Sequence, residues 1–582
     1  MAVQKSAREQ EPMREYFESE MRLLHEAAVD FARAHPEQAR MLNLAEVQDR
    51  DPYVERLLEG VAFIAAQIRS RIDDSESHIS EQLLEQLAPG QLRGYPSRAV
   101  MVCDFAPGAH SSKVLDAGSQ VRSAPVGEDS TECVFTTLAP VTLAPLTLEH
   151  IECEETGNGD TRMTLTLKPV GAGSLVDLAL SDLNLFLHCD PALALALIHG
   201  LTDQRGAMEI HADGQPCGNL PAANLSLPYL QTLTSDSRHR ANPALALLQD
   251  YFAWRERFYF LRVSGLDSLP LPEKARTLQI TLTLPVQLPE EYPLRPEHVK
   301  LNAVPAINLN EQDAEPLEVD QKRAAYRFLP DQRRPDDVVL HEILSLQGRD
   351  RKGAAITQYQ PFYQARDLSG GHATYRITRQ NMGLETPQAF ISLSGAGLIH
   401  AQTLSARVSV SNGYLPRRYL SEKQIDRPVS GVPSSLRIYN LQRPSAWLPC
   451  PDSSSYRWQL QSLLQMPVSG LAREDTLSAL MGLLDWTERR ENQRRREALQ
   501  SVSVTPVTRM TKGMLYRGIA VELDVNLGDF LSLHDLYLFG SVLHTVLASM
   551  AAINECVELK IIAQPVQKEL LWEPQVGCLT PL

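Results

Sequence analysis

Along the first hundred residues, apolar side chains recur every three or four positions. From Met13 the series Phe17, Met21, Leu24, Ala28 and Phe31 lines one helical face, and Pro36 is placed to stop it. A second helix is expected from Asp51-Pro52, where Asp caps free amides and Pro fits the first turn. Its apolar face is Val54, Leu57, Val61, Ile64 and Ile68. A third, shorter pattern, Leu83, Leu84 and Leu87, ends at Pro89-Gly90. Such stripes must be buried against each other or against a partner chain.

Beyond about Tyr95 the period falls to two. Met163, Leu165 and Leu167 alternate with threonine or lysine, and Leu278, Ile280, Leu282 and Leu284 repeat the alternation, so each run reads as a half-buried strand. Short runs at Val100 to Phe105, Val134 to Leu148, Phe258 to Val263, Ala406 to Val410 and Leu436 to Tyr439 are punctuated by Pro and Gly. The polar segments Pro330 to Asp337 and Gly348 to Ala354 read as exposed loops. From Tyr456 the helical period returns in Leu460, Leu463 and Leu464, then in Leu477, Leu480, Leu483 and Leu484. A strand at Ile519 to Val525 precedes the uncharged run from Leu536 to Ile553. The expected architecture is α+β and multidomain: a helical region at 1–95, a β-rich, sandwich- or barrel-like middle at 96–455 dividing near 270–300, and a mixed α/β region at 456–582.

Composition changes this picture little. Fifty-six Lys and Arg against 71 Asp and Glu leave a charge of −15, which argues against nucleic acid, whose affinity comes from cations that neutralise phosphates. The uncharged run could pass for a membrane span, but Ser541, His544, Thr545 and Ser549 fall along one side of it, so it reads as a buried or interface helix. The eight cysteines show no Cys-x-x-Cys pair and read as reduced, buried thiols of a cytoplasmic protein. The first residues lack the apolar core of a secretory signal.

The search for chemistry returns almost nothing. There is no phosphate loop, no G-x-G-x-x-G, no G-x-S-x-G and no H-E-x-x-H, and His25-Glu26 and His341-Glu342 lack the second histidine that zinc would need. The carboxylate pairs Asp73-Asp74, Glu154-Glu155, Glu290-Glu291 and Asp336-Asp337 sit in turn-like, solvated sequence. Arg489, Arg490, Arg494, Arg495 and Arg496 are interleaved with Glu488, Glu491 and Glu497, with Glu491 four residues before Arg495, which reads as a solvated helix face or a salt-bridged contact with a partner. No catalytic residue, cofactor site or metal site is therefore expected. What remains is apolar helical surface, with Leu57, Phe63, Ile64, Leu538, Phe539, Val542 and Val546 as candidate partner-contact residues.

Several segments in order carry a resemblance. These are YFESEMRLLHEAAVDFARAHPEQARMLNL, DPYVERLLEGVAFIAAQIRSRIDD and ISEQLLEQLAPGQLRGYPS near the start, LLQDYFAWRERFYFLRVSGLD in the middle, and LYLFGSVLHTVLASMAAINECVEL with LLWEPQVGC near the end. With VLDAGSQV, PFYQAR and TYRITR between them, the sequence resembles the TssF family, also called ImpG or VasA, of type VI secretion baseplates. The resemblance implies a cytoplasmic, non-enzymatic scaffold that resembles phage baseplate wedge proteins. It would pair with TssG, two TssF copies to one TssG, join TssK and TssE around the VgrG spike, and dock on the inner-membrane complex without inserting into the membrane. One local departure is Asn412-Gly413-Tyr414-Leu415-Pro416, where relatives often carry Asn-Arg-Asp before Leu-Pro. Two alternatives stand beside this reading: a wedge protein of another contractile machine such as a phage tail, and a carbohydrate-binding or hydrolytic β-rich protein. The 6% aromatic content speaks against the latter.

Overall fold

The computed structural model describes residues 2–35, 37, 52–109, 111–203, 206–231, 243–289, 291, 293–320, 322–350, 356–362, 373–380, 385–395, 401–511 and 514–578. The expected stop at Pro36 and cap at Asp51 lie outside the described residues, as do Arg351 to Ala354 of the second expected loop. The α+β class holds: helices lead, sheets fill the middle and an α/β unit follows.

Two long helices, Ala2–Ala34 and Pro52–Leu87, come first. The second and third helical patterns expected from sequence are one helix of 36 residues. The polar stretch between them contains neither Pro nor Gly, so nothing in it breaks the backbone ladder before Pro89. The segment that follows is buried at Leu92, Arg93, Tyr95, Ser97 and Arg98. At Gly94 a side chain would collide with the Trp447 ring, 2.5 Å from an added Cβ, so a bare backbone is required there.

The strands that alternate most cleanly are neighbours. Leu278, Ile280 and Leu282 of Leu278–Leu284 stand opposite Leu167, Leu165 and Met163 of Thr161–Pro169, all six buried, at the heart of a five-stranded sheet. On the opposite face the Thr164 and Thr281 hydroxyls lie 3.1 Å apart. The expected strand from Val134 to Leu148 is three strands separated by turns, and Gly348 to Asp350, expected in a loop, extend the strand Val339–Asp350. That strand and Gln402–Ser411 lie side by side within an eight-stranded sheet. A six-stranded sheet joins Arg98–Phe105, Ala303–Ile307 and Leu436–Asn440, so it draws strands from both sides of the division expected near 270–300. Asn412 pairs reciprocally with Asn308: its amide donates to Asn308 Oδ1 at 2.7 Å, and its own Oδ1 accepts from Asn308 Nδ2 at 2.8 Å. Gly413 beside it has φ +52, the left-handed conformation that glycine adopts most cheaply.

Two helices in this β-rich region are not foreshadowed by periodicity. Pro191–Thr202 and Pro243–Ala253 are buried along almost their whole lengths, and a helix that is apolar all round shows no amphipathic stripe. Their neighbour explains why. In the last region the strand Met514–Asn526, the helix Leu533–Met550 and the strand Glu555–Gln564 form a βαβ crossover with the two strands parallel, and Lys568–Val576 completes a four-stranded sheet. The crossover helix packs on its own sheet and on both of the earlier helices. One continuous core therefore runs across the boundary expected at 455/456.

Two buried carboxylates hold this core to its surroundings. Asp250 receives Arg98 at 3.0 Å, Arg257, and the Tyr95 hydroxyl at 2.7 Å; the Arg98 guanidinium also lies 4.7 Å from the Tyr95 ring centre. Asp535, near the start of the crossover helix, receives Arg255, Arg495 at 3.0 Å and the Leu531 amide at 3.2 Å. Burial pushes the Asp535 carboxyl up, but the arginines and the amide outweigh it and hold it below the usual carboxylate range. This corrects the reading of Arg495 as part of a solvated face: its side chain is 2% exposed, and it pairs with Asp535 rather than serving as the partner of Glu491. Arg489, Arg490 and Arg494 are exposed, as expected.

Candidate interface

The candidate partner-contact residues separate into two groups. Leu538, Phe539, Val542 and Val546 are 1%, 0%, 0% and 0% exposed. They face inward among the chain's own elements, where Phe539 meets the rings of Tyr251 and Phe530 at 5.8 and 5.5 Å. The expectation that the uncharged helix offers these side chains to another protein is thus corrected. The run from Leu536 onward carries no charge and needs an apolar environment, and the helices Pro191–Thr202 and Pro243–Ala253 supply it from within.

Leu57, Phe63 and Ile64 lie at the surface, with exposures of 71%, 48% and 58%. The long helix packs on the first helix through its opposite, small-residue side: Ala62, Ala66 and, from the partner helix, Ala28 are buried, and Arg69 meets Glu20 at 2.7 Å. Alanines allow close approach and leave the larger side chains outward. Leu57, Val61, Ile64 and Ile68, spaced by four, three and four residues, therefore form one continuous exposed stripe, with Tyr53 a turn before it. A groove along the first helix is lined in part by Phe17, Met21 and Val29. Val61 and Ile68 belong to the same stripe as Leu57 and Ile64, and the period legible in the sequence identifies all four.

Among the described residues no group of three or more His, Cys, Asp or Glu is placed to hold a metal, and no helix is long and apolar enough to cross a membrane. The thiols of Cys103, Cys133, Cys189 and Cys450 are pushed up by burial to about 12, which leaves little thiolate at neutral pH. Cys153 and Cys578 are exposed, unlike the buried set expected. Of the carboxylate pairs, Glu154 and Glu155 are exposed, and Asp337 accepts the Thr131 hydroxyl. The side chains of Asp73, Asp74 and Glu290 lie outside the described residues.

The seam between the middle and last regions carries a titratable contact. His199 Nδ1 and His534 Nδ1 are 2.7 Å apart, and the His199 ring stacks on Tyr537 with centres 4.0 Å apart and planes at 16°. Only a neutral pair, one Nδ1–H donating to the other nitrogen, leaves both free of charge in this setting. Burial, His534 and Lys568 together push His199 down to about 3, and burial and Lys568 lower His534 too. An unfolded histidine titrates near 6.5, so between about pH 6.5 and 3 the unfolded chain binds the extra proton, and stability present at neutral pH is lost as pH falls through that window. For His199 this amounts to about 2 kcal/mol at pH 5. The urea midpoint should drop between pH 7 and pH 5, and His199→Gln should flatten that drop; an unchanged pH slope in the variant would remove His199 as its source.

Comparison with known proteins places this geometry. The family model described as "Type VI secretion system, TssF" matches residues 9–578. The type VI secretion system component TssF1 of Pseudomonas aeruginosa is 26% identical over 622 aligned positions, covering 97% of this chain and 98% of that protein. A chain of the solved TssK-TssF-TssG baseplate subcomplex superposes with TM-score 0.74 at 25% identity, covering 90% of this chain and all of that one. A chain of a solved type VI secretion baseplate complex gives 0.61 at 25% identity, with 98% and 100% covered.

Proposed function

The chain belongs to the TssF family of type VI secretion baseplate components, and on that footing we propose that its two-helix arm joins it to TssG in a wedge that also carries TssK. The observation that carries the reading is the stripe of Leu57, Val61, Ile64 and Ile68, an apolar helical face left outward by a helix pair whose own contact uses alanines. Phe63 borders it. A face of this kind suits a helix-in-groove or helix-bundle contact, in which apolar anchors three and four residues apart interdigitate with a neighbour. The family role is structural, and the protein's work in this reading is mechanical: a body in which one core ties part of the middle to the last region, with a sticky arm.

Within the wedge we infer two copies of this chain to one TssG, contact with TssE, a position around the VgrG spike, and docking at the cytoplasmic face of the inner membrane through the baseplate rather than by insertion. Co-expression with TssG and TssK, followed by native mass measurement of the purified complex, tests this directly. The expected mass holds two copies of this chain per TssG. A chain that elutes alone from cells making all three proteins would overturn the reading.

A further inference from the structure

We propose that Glu85 is a two-position latch that sets the angle between the helical arm and the body. Glu85 sits in the last turn of the helix Pro52–Leu87, and its carboxylate is 4.0 Å from Arg93 Nη2 and 4.0 Å from Arg379 Nη1. Both separations exceed a hydrogen bond, and neither Glu85 Oε2 nor Arg379 Nη1 makes one among the described residues, although the Glu85 side chain is only 14% exposed. The two arginines belong to different parts. Arg93 lies in the buried segment after the helix and meets Glu342 at 3.1 Å; Arg379, on the strand Thr374–Gln380, donates through Nη2 to the His341 carbonyl at 2.9 Å. Glu85 thus lies equally far from two anchored cations, Oε2 toward Arg93 and Oε1 toward Arg379.

A buried carboxylate gains most when it closes to a charge-assisted hydrogen bond of about 2.8 Å, and here either arginine is about 1 Å beyond that distance. This position is therefore a crossing between two closed positions. Movement is easy on this side, because the cluster borders a cavity of about 50 Å³ whose charged lining includes Glu81, Arg376 and Arg379, room for a few waters. On the other flank Leu84 rests against Leu92, Tyr456 and Leu460, an apolar contact without directional bonds over which a helix end can slide. The lever is long. With a rise of about 1.5 Å per residue, Glu85 is roughly 4 to 5 Å from a pivot at Ala88 and Ile64 roughly 36 Å from it, so closure by about 1 Å onto either arginine moves the stripe by roughly 8 Å.

The latch does not depend on which partner the arm takes, so its failure would leave the assembly reading standing. The test is a distance measurement by double electron–electron resonance on the full chain. Nitroxides are placed through Glu59→Cys on the arm and Ile356→Cys on the eight-stranded sheet, after Cys153→Ser and Cys578→Ser remove the exposed thiols. Two distance populations several ångströms apart are expected in the otherwise unaltered chain, with one lost in Arg379→Gln and the split lost in Glu85→Gln. A single narrow distance in the otherwise unaltered chain, which requires no latch variant to fold, would overturn the proposal. So would two populations that Glu85→Gln leaves unchanged.

Discussion

Leu57→Asp combined with Ile64→Asp should abolish co-purification with TssG while leaving the isolated chain as stable as before. Both side chains are mostly solvent-exposed in the folded chain, so their replacement should shift stability by no more than about 0.5 kcal/mol each. At a helical interface the same changes remove two apolar anchors and bury two carboxylates without counterions. Central anchors are worth about 2 kcal/mol or more apiece, and an uncompensated charge adds further cost, so binding should weaken by about a thousandfold or more. The informative control is Phe539→Asp. That ring is 0% exposed inside the chain's own core, and its substitution should yield insoluble protein rather than a soluble chain that ignores its partner. If the stripe variant binds TssG as tightly as the unaltered chain, the arm is not the contact.

Asp250→Ala should destabilise the chain by about 3–5 kcal/mol, the ordinary cost of removing one member of a buried charged cluster. The carboxylate is fully buried and faces Arg98, Arg257 and the Tyr95 hydroxyl together, so its loss removes the acceptor that all three share and the counterion of both arginines. Against a typical total stability of about 5–15 kcal/mol, that loss is large enough to cut soluble yield and to lower the urea midpoint steeply. Asp250→Asn keeps an acceptor but not the charge and should fall in between. A midpoint for Asp250→Ala equal to that of the unaltered chain would mean that the network contributes no net stability.

How far the sequence reveals all this depends on the range of the interaction. The stripe was legible as a period, because Leu57, Val61, Ile64 and Ile68 stand on one helical face whatever surrounds them; whether that face is covered depends on the alanines opposite, which carry no such signal. The strands Thr161–Pro169 and Leu278–Leu284 announced themselves by alternation, but their pairing across the intervening chain did not. Phe539 and its neighbours read from sequence as partner contacts because the apolar cover that explains them lies in Pro191–Thr202 and Pro243–Ala253, helices hidden by their uniform burial. The clusters around Asp250 and Asp535 join residues that only the fold brings together, so Arg495 read as one more surface arginine.

The crossover helix bears on how the protein is made. Leu533–Met550 and the parallel strand after it are synthesised long after the buried helices they cover. Until they emerge from the ribosome, Pro191–Thr202 and Pro243–Ala253 have no lid, and a nascent chain displays greasy surface that chaperones would be expected to hold. Messages cut short before this segment should consequently yield aggregates rather than smaller working pieces.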